Sequence, residues 1–269
     1  MTRAYSLGYL TCNGADPVTS VGIAADHGYD MISFRLLPAG PADRLFPLLE
    51  DDTMLHEVQA AMRDTGVTMA DAEMIRLASD TRIESFTPFL DRIAELGAKH
   101  VLVAVDDTDP DRSQDNYTAL CGLLGSYNLT ADLEFMPWTG VKNLAHARRM
   151  VESADHPAAA VLFDSLHFDR CGASLDEFRD LPARLMNYVQ ICDGPVPYDP
   201  SDEELIRIAR TARMIPGEGG IDLAAIAALV PKEMTVSVEV PNHALAAEIG
   251  ASEVARRALA ATKKLLGDP

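Results

Sequence analysis

Short runs of β-branched and other apolar residues alternate along the chain with longer stretches whose apolar positions recur at helical spacing. A strand covered on both faces reads as a continuous apolar run, and an amphipathic helix shows a period near 3.6. The alternation therefore predicts βα units around a parallel sheet. Strands are expected at residues 5–10, 31–35, 67–74, 100–105, 131–136, 159–164, 186–192 and 235–240. Helices are expected at 16–27, 52–65, 83–96, 114–124, 142–153, 175–181, 201–212, 223–229 and 244–266. Ser201 followed by Asp202, Glu203 and Glu204 opens one of them with the acidic first turn that suits a helix dipole.

Eight strands with interleaved helices in a chain of 269 residues fit one (β/α)8 barrel, a TIM barrel of the α/β class spanning residues 1–269. The competing doubly wound sheet normally carries a glycine-rich turn after its first strand. Here that stretch is LTCNGADP, with one glycine. No Ser-, Gly- or Pro-rich stretch is long enough to be a linker, so a single domain is expected.

Charge changes the picture of partners. With 41 acidic and 23 basic residues the formal charge is −18, which argues against nucleic acid and anionic membranes, both of which are held by Lys and Arg. No apolar run approaches the roughly 20 residues of a membrane span, and the start MTRAYSLGYLTCNGADP has no signal-peptide segment, so a cytoplasmic protein is expected. Cys12, Cys121, Cys171 and Cys192 form no CxxC pair, which signals neither a zinc site nor a disulfide framework. Buried reduced thiols are the expectation.

Active sites of such barrels sit where strands end, so the polar residues closing each strand are the candidates. The early strands give Arg35, Asp71 with Glu73, and Asp106 with Asp107; the later ones give Glu134, Asp164, Gln190 and Glu239. The last four are oxygen donors inside or at the end of apolar runs, with few Lys or Arg nearby in sequence. A carboxylate there is costly to bury without a cation beside it. Four consecutive strands would aim them at one point on the barrel axis. Three carboxylates and an amide oxygen suit one hard divalent ion, Mg²⁺ or Mn²⁺ first and Co²⁺ next. Arg35 and Arg76 are as suited to binding a substrate carboxylate or hydroxyl as to pairing with nearby acids. The PGEGG stretch could cradle a phosphate, but Glu218 within it would repel an anion, so an ordinary turn is expected there.

Five ordered motifs, EFMPW, FDSLHFDR, YVQICD, IPGEGGID and VSVEVPN, resemble those of the xylose-isomerase-like barrels known as sugar phosphate isomerases/epimerases. The resemblance runs over essentially the whole chain. It implies that Glu134, Asp164, Gln190 and Glu239 hold the metal, and that Glu134 and Glu239 also serve as the acid/base pair. It implies further that His167 bonds a substrate oxygen, that Arg213 contacts substrate, that Glu218 falls in the substrate-binding loop, and that Asp193 supports the ligands. Many members have His where this chain has Gln190, which weakens the case for zinc or iron.

Together these readings point to a metal-dependent isomerase or epimerase of a small sugar or polyhydroxy carbonyl compound. The alternative is a dehydratase of a cyclic keto-polyol such as dehydroshikimate or an inosose, with His167 protonating the leaving hydroxyl. A metal-free binding protein is a third reading. DNA repair by a barrel of this kind would need many more histidines near strand ends and a different charge. The expected partner is a small-molecule substrate, and the sequence leaves room for a homo-oligomer.

Overall fold

The computed structural model describes residues 3–40, 43 and 45–269. Eight parallel strands close into one barrel in chain order: β1 (Tyr5–Leu7), β2 (Met31–Arg35), β3 (Thr68–Leu77), β4 (His100–Val105), β5 (Thr130–Glu134), β6 (Ala159–Asp164), β7 (Tyr188–Ile191) and β8 (Thr235–Val238). Closure is by β1 against β8, with Leu7 paired to Val238. Around it lie α1 (Pro17–His27), α2 (Asp52–Thr65), α3 (Thr87–Glu95), α4 (Pro110–Ser126), α5 (Leu144–Ala154), α6 (Ser165–Arg170), α7 (Leu175–Arg179), α8 (Asp202–Thr211), α9 (Leu223–Ala227), α10 (His243–Ile249) and α11 (Ala251–Leu266).

The main apolar core lies between strands and helices and includes Val21, Ile32, Val103, Phe163, Val189 and Val254. Inside the barrel a smaller cluster around Met74, Leu102, Met136, Leu162 and Tyr188 fills the axis. Burying side chains of this size contributes about 1.5–3 kcal/mol each, so both layers are needed to offset chain entropy.

All eight expected strands form, β2, β4 and β6 with the expected bounds and the others with shifted ends. β1 stops at Leu7 because Tyr9–Cys12 winds into a 3₁₀ turn, whereas β3 runs on to Leu77. The expected helix 244–266 is two helices, because Gly250 at φ 87° and ψ 148° breaks the hydrogen-bond run between α10 and α11. α4 begins at Pro110 behind Asp109, whose side chain accepts from the Arg112 N–H. The six-residue α6 is an element that the apolar periodicity does not predict.

Cys12, Cys121 and Cys192 are buried and Cys171 is half-buried, all as free thiols. Among the described residues no helix is long and apolar enough to cross a membrane.

Candidate active site at the C-terminal ends of the strands

Glu134 is the last residue of β5 and Asp164 the last of β6, and both are buried. Asp164 caps α6: its Oδ1 accepts the His167 N–H at 2.9 Å. One helical turn therefore returns His167 to the mouth, where Nε2 stands 3.7 Å from Glu134 Oε1. The Trp138 ring meets the imidazole edge-on at 5.1 Å between centroids. Ladder pairing sets Gln190 on β7 beside Asp164 on β6.

Glu239 comes directly after β8. The backbone of Gly8 passes so close that a Cβ there would lie 3.1 Å from Glu239 Cβ and 3.0 Å from Val238 O. Glycine at 8 is thus what lets the first loop close over the last ligand strand.

Arg213 joins the two halves. Its Nη1 donates to Asp164 Oδ2 at 2.5 Å, its Nη2 lies 3.0 Å from Glu239 Oε2, and its Nε donates to Ala209 O at 2.8 Å. The scarcity of cations near these acids in sequence is made good by an arginine 49 residues beyond Asp164. Two carboxylates sharing one guanidinium still leave this cluster with more buried acid than base.

Proton affinities are set by this packing. Burial, reinforced by the charge of Asp164 and eased by Arg213, raises Glu134 to about 8. Burial also raises Glu239 well above the usual carboxylate range despite Arg213, with Glu73, Glu134 and Asp164 adding to it. Asp164 suffers the same burial, yet Arg213 and His167 pull it below its ordinary value. Burial lowers His167 to about 4, so its imidazole is neutral.

The donor set fits a divalent cation. Ligand atoms of Glu134, Asp164 and His167 lie within 4.8 Å of one another. The Gln190 amide stands 3.0 Å from Glu134 Oε1 and 3.2 Å from Asp164 Oδ2; its nitrogen turned inward donates to both, and its oxygen turned inward makes a converging set of oxygens. That second orientation is the one a cation rewards. Among the described residues His167 Nδ1 is buried without a partner, and one nitrogen of the ring falls within this donor cluster, although the sequence pointed to substrate contact.

A cavity opens over this cluster and is lined by Glu134, His167, Arg213, Glu239, Arg35 and Trp138, among others. Arg35 lies where expected but is engaged, 2.6 Å from Glu73 Oε2 and 3.6 Å from Asp43 Oδ2. Glu218 is not brought here. Its side chain is exposed and lines an outer groove beside Arg256 and Arg257, because buried Asp193 accepts the N–H groups of Gly194, Gly217, Gly219 and Ile221 and folds the loop outward. A Cβ on Gly219 would sit 2.3 Å from Asp193 Oδ1, so that fold depends on glycine. Asp71 is inside the barrel, bonded by Ser33 Oγ at 2.6 Å, and does not reach the cavity wall. Sequence reasoning missed Trp138 and Arg210 as lining residues. Their signal was position: Trp138 is in the loop after the strand bearing Glu134, and Arg210 is one turn before Arg213.

Residues 21–265 match the xylose isomerase-like TIM barrel family. The sequence is 28% identical over 144 residues to a 3-dehydroshikimate dehydratase of Pseudomonas putida KT2440, a match covering 51% of this chain and 22% of that protein. The structure is similar to a xylose isomerase-like TIM barrel/4-hydroxyphenylpyruvate dioxygenase fusion protein, with a TM-score of 0.81 at 21% identity over 98% of this chain and 43% of that one. It is similar also to the IolI protein with a bound zinc atom, with a TM-score of 0.82 at 20% identity over 98% of both chains. At such identities the structural likeness speaks to the fold.

Proposed function

Because the chain belongs to the xylose isomerase-like TIM barrel family, we propose that it is a divalent-metal-dependent isomerase or epimerase of a small polyhydroxylated carbonyl compound. The observation carrying this is the pair of buried glutamates with raised proton affinity, Glu134 on β5 and Glu239 after β8, with β6 and β7 between them around one closed barrel. Groups so arranged approach a substrate from different sides, which two-base proton transfer requires.

Glu134, Asp164, Gln190 and Glu239 would hold the ion, with oxygen donors favouring Mg²⁺ or Mn²⁺ and admitting Co²⁺. When bound, that ion supplies a Lewis acid beside the substrate carbonyl. One glutamate takes the proton from the carbon next to the carbonyl and the other returns one. Arg213 holds Asp164 ionised and orients Glu239. Neutral His167, braced by Trp138, bonds a substrate hydroxyl.

The dehydratase reading has a specific support in the match to the Pseudomonas putida 3-dehydroshikimate dehydratase. It shares the first proton abstraction and differs in the second step. There the β-hydroxyl leaves with a proton delivered through His167, whose Nε2 faces Glu134 across 3.7 Å.

Metal titration tests the proposal. About one divalent ion should bind per chain, and its affinity should rise as pH climbs towards about 8, because Glu134 must give up the proton that burial favours. Chelation should abolish turnover; full activity in the metal-free protein would overturn the reading.

His167→Ala should lower turnover by about 10²-fold or more if His167 passes a proton in the slow step. Metal content should stay near one per chain, measured by atomic absorption after dialysis. A metal loss as complete as that from removing Asp164 would make His167 a ligand instead.

A further inference from the structure

Among the described residues, one arginine in the lining of the cavity is paired with no carboxylate. Four arginines line it, Arg35, Arg76, Arg210 and Arg213. Arg213 is shared by Asp164 and Glu239, and Arg35 by Glu73 and Asp43. Arg76 forms a paired bridge to Asp106, with Nε donating to Oδ2 at 2.7 Å. Arg210 has neither an ion pair nor a hydrogen bond from its side chain among the described residues.

Its position gives that freedom a use. Arg210 lies in the last turn of α8, exposed at the rim, with Nη1 3.8 Å from where a Cβ on Gly40 would sit. The guanidinium therefore reaches from α8 towards the loop after β2. Partial loss of water at the mouth and the like charges of Arg76 and Arg35 lower its pKa, with Asp43 and Asp106 opposing them. Arg35 and Arg76 at the same rim are balanced by Glu73, Asp43 and Asp106, so Arg210 carries the positive charge there that no carboxylate pairs among the described residues.

We infer that Arg210 is the docking cation for an anionic group, a carboxylate or a phosphate, on the substrate. A planar fork of N–H donors with no internal acceptor matches either group bidentately. Arg35 and Arg76 already hold carboxylates, so they do not compete for the ligand's oxygens and leave Arg210 as the group that meets it. The inference rests on the polyhydroxylated-carbonyl reading and narrows its substrate class. Neutral keto-sugars would leave Arg210 solvated, and a keto-polyol carrying an acid group would fill it.

Binding separates the possibilities in the Mg²⁺-loaded protein. One pair of probes is 3-dehydroshikimate, a ring ketone with a carboxylate, against 2-inosose, a neutral ring ketone. The other is D-fructose 6-phosphate against D-fructose. In one pair the anion should bind about 10- to 100-fold more tightly, by the usual strength of a charge-assisted hydrogen bond. Which pair shows it tells carboxylate from phosphate. Arg210→Met and Arg210→Gln should each erase that preference while leaving metal content and affinity for the neutral member unchanged. Equal affinities within both pairs, including no binding of any probe, overturn the inference, and so does a preference that survives both substitutions. Because binding is read without turnover, failure of all four compounds to react bears on the proposed reaction alone.

Discussion

Asp164→Ala should strip the protein of its divalent ion and lower its melting temperature by on the order of 10 °C, the largest combined effect of any single substitution at this site. Asp164 serves three partners at once. Its Oδ1 caps α6 through the His167 N–H, its Oδ2 receives Arg213, and it is a proposed metal ligand. Removing it leaves a fully buried guanidinium leaning on Glu239 alone, and unpairing a buried charge costs about 3–5 kcal/mol. Asp164→Asn should separate these effects. It keeps the cap, and so should retain His167 in place, while losing the charge that partners Arg213. Differential scanning calorimetry with metal analysis checks both; unchanged metal content in Asp164→Ala would mean that the ligand is another residue.

Glu239→Gln should suppress turnover by about 10²-fold or more while reducing metal affinity far less, since an amide oxygen still coordinates but accepts no proton. Geometry favours this split. Arg213 Nη2 lies 3.0 Å from Glu239 Oε2, so a Gln oxygen in its place still faces the guanidinium. Burial raises the affinity of the Glu239 carboxylate for a proton, and an amide in its place has no such site. Parallel measurement of kcat and of metal dissociation decides the matter. Equal losses in both would make Glu239 a ligand without a part in proton transfer.

The barrel was legible because its strands are buried on both faces and therefore read as apolar runs, and because a carboxylate ending such a run is conspicuous. That logic picked out Glu134, Asp164 and Gln190 as strand residues and Glu239 one residue past β8. Pairing across sequence was not legible. Arg213 reaches Asp164 only through the turn after α8, where Arg213 N–H donates to Pro241 O, and no local pattern announces that contact. The outward turn of Glu218 was hidden for the same reason, since it depends on Asp193 collecting backbone N–H groups from a loop more than 20 residues away. α6 is too short for a helical period to show, yet it is the element that presents His167.

Turnover in deuterated water, with Mg²⁺ or Mn²⁺ present, tests whether two bases move a proton on and off carbon. A panel of ketoses, hydroxy-aldehydes and cyclic β-hydroxy ketones would be monitored by proton NMR and mass spectrometry. A rearranged or epimerised product should carry solvent deuterium at the carbon that received the returned proton. Conversion of a cyclic β-hydroxy ketone to an unsaturated product, with neither exchange nor turnover in the ketoses and hydroxy-aldehydes, would contradict isomerisation and leave the dehydratase reading standing.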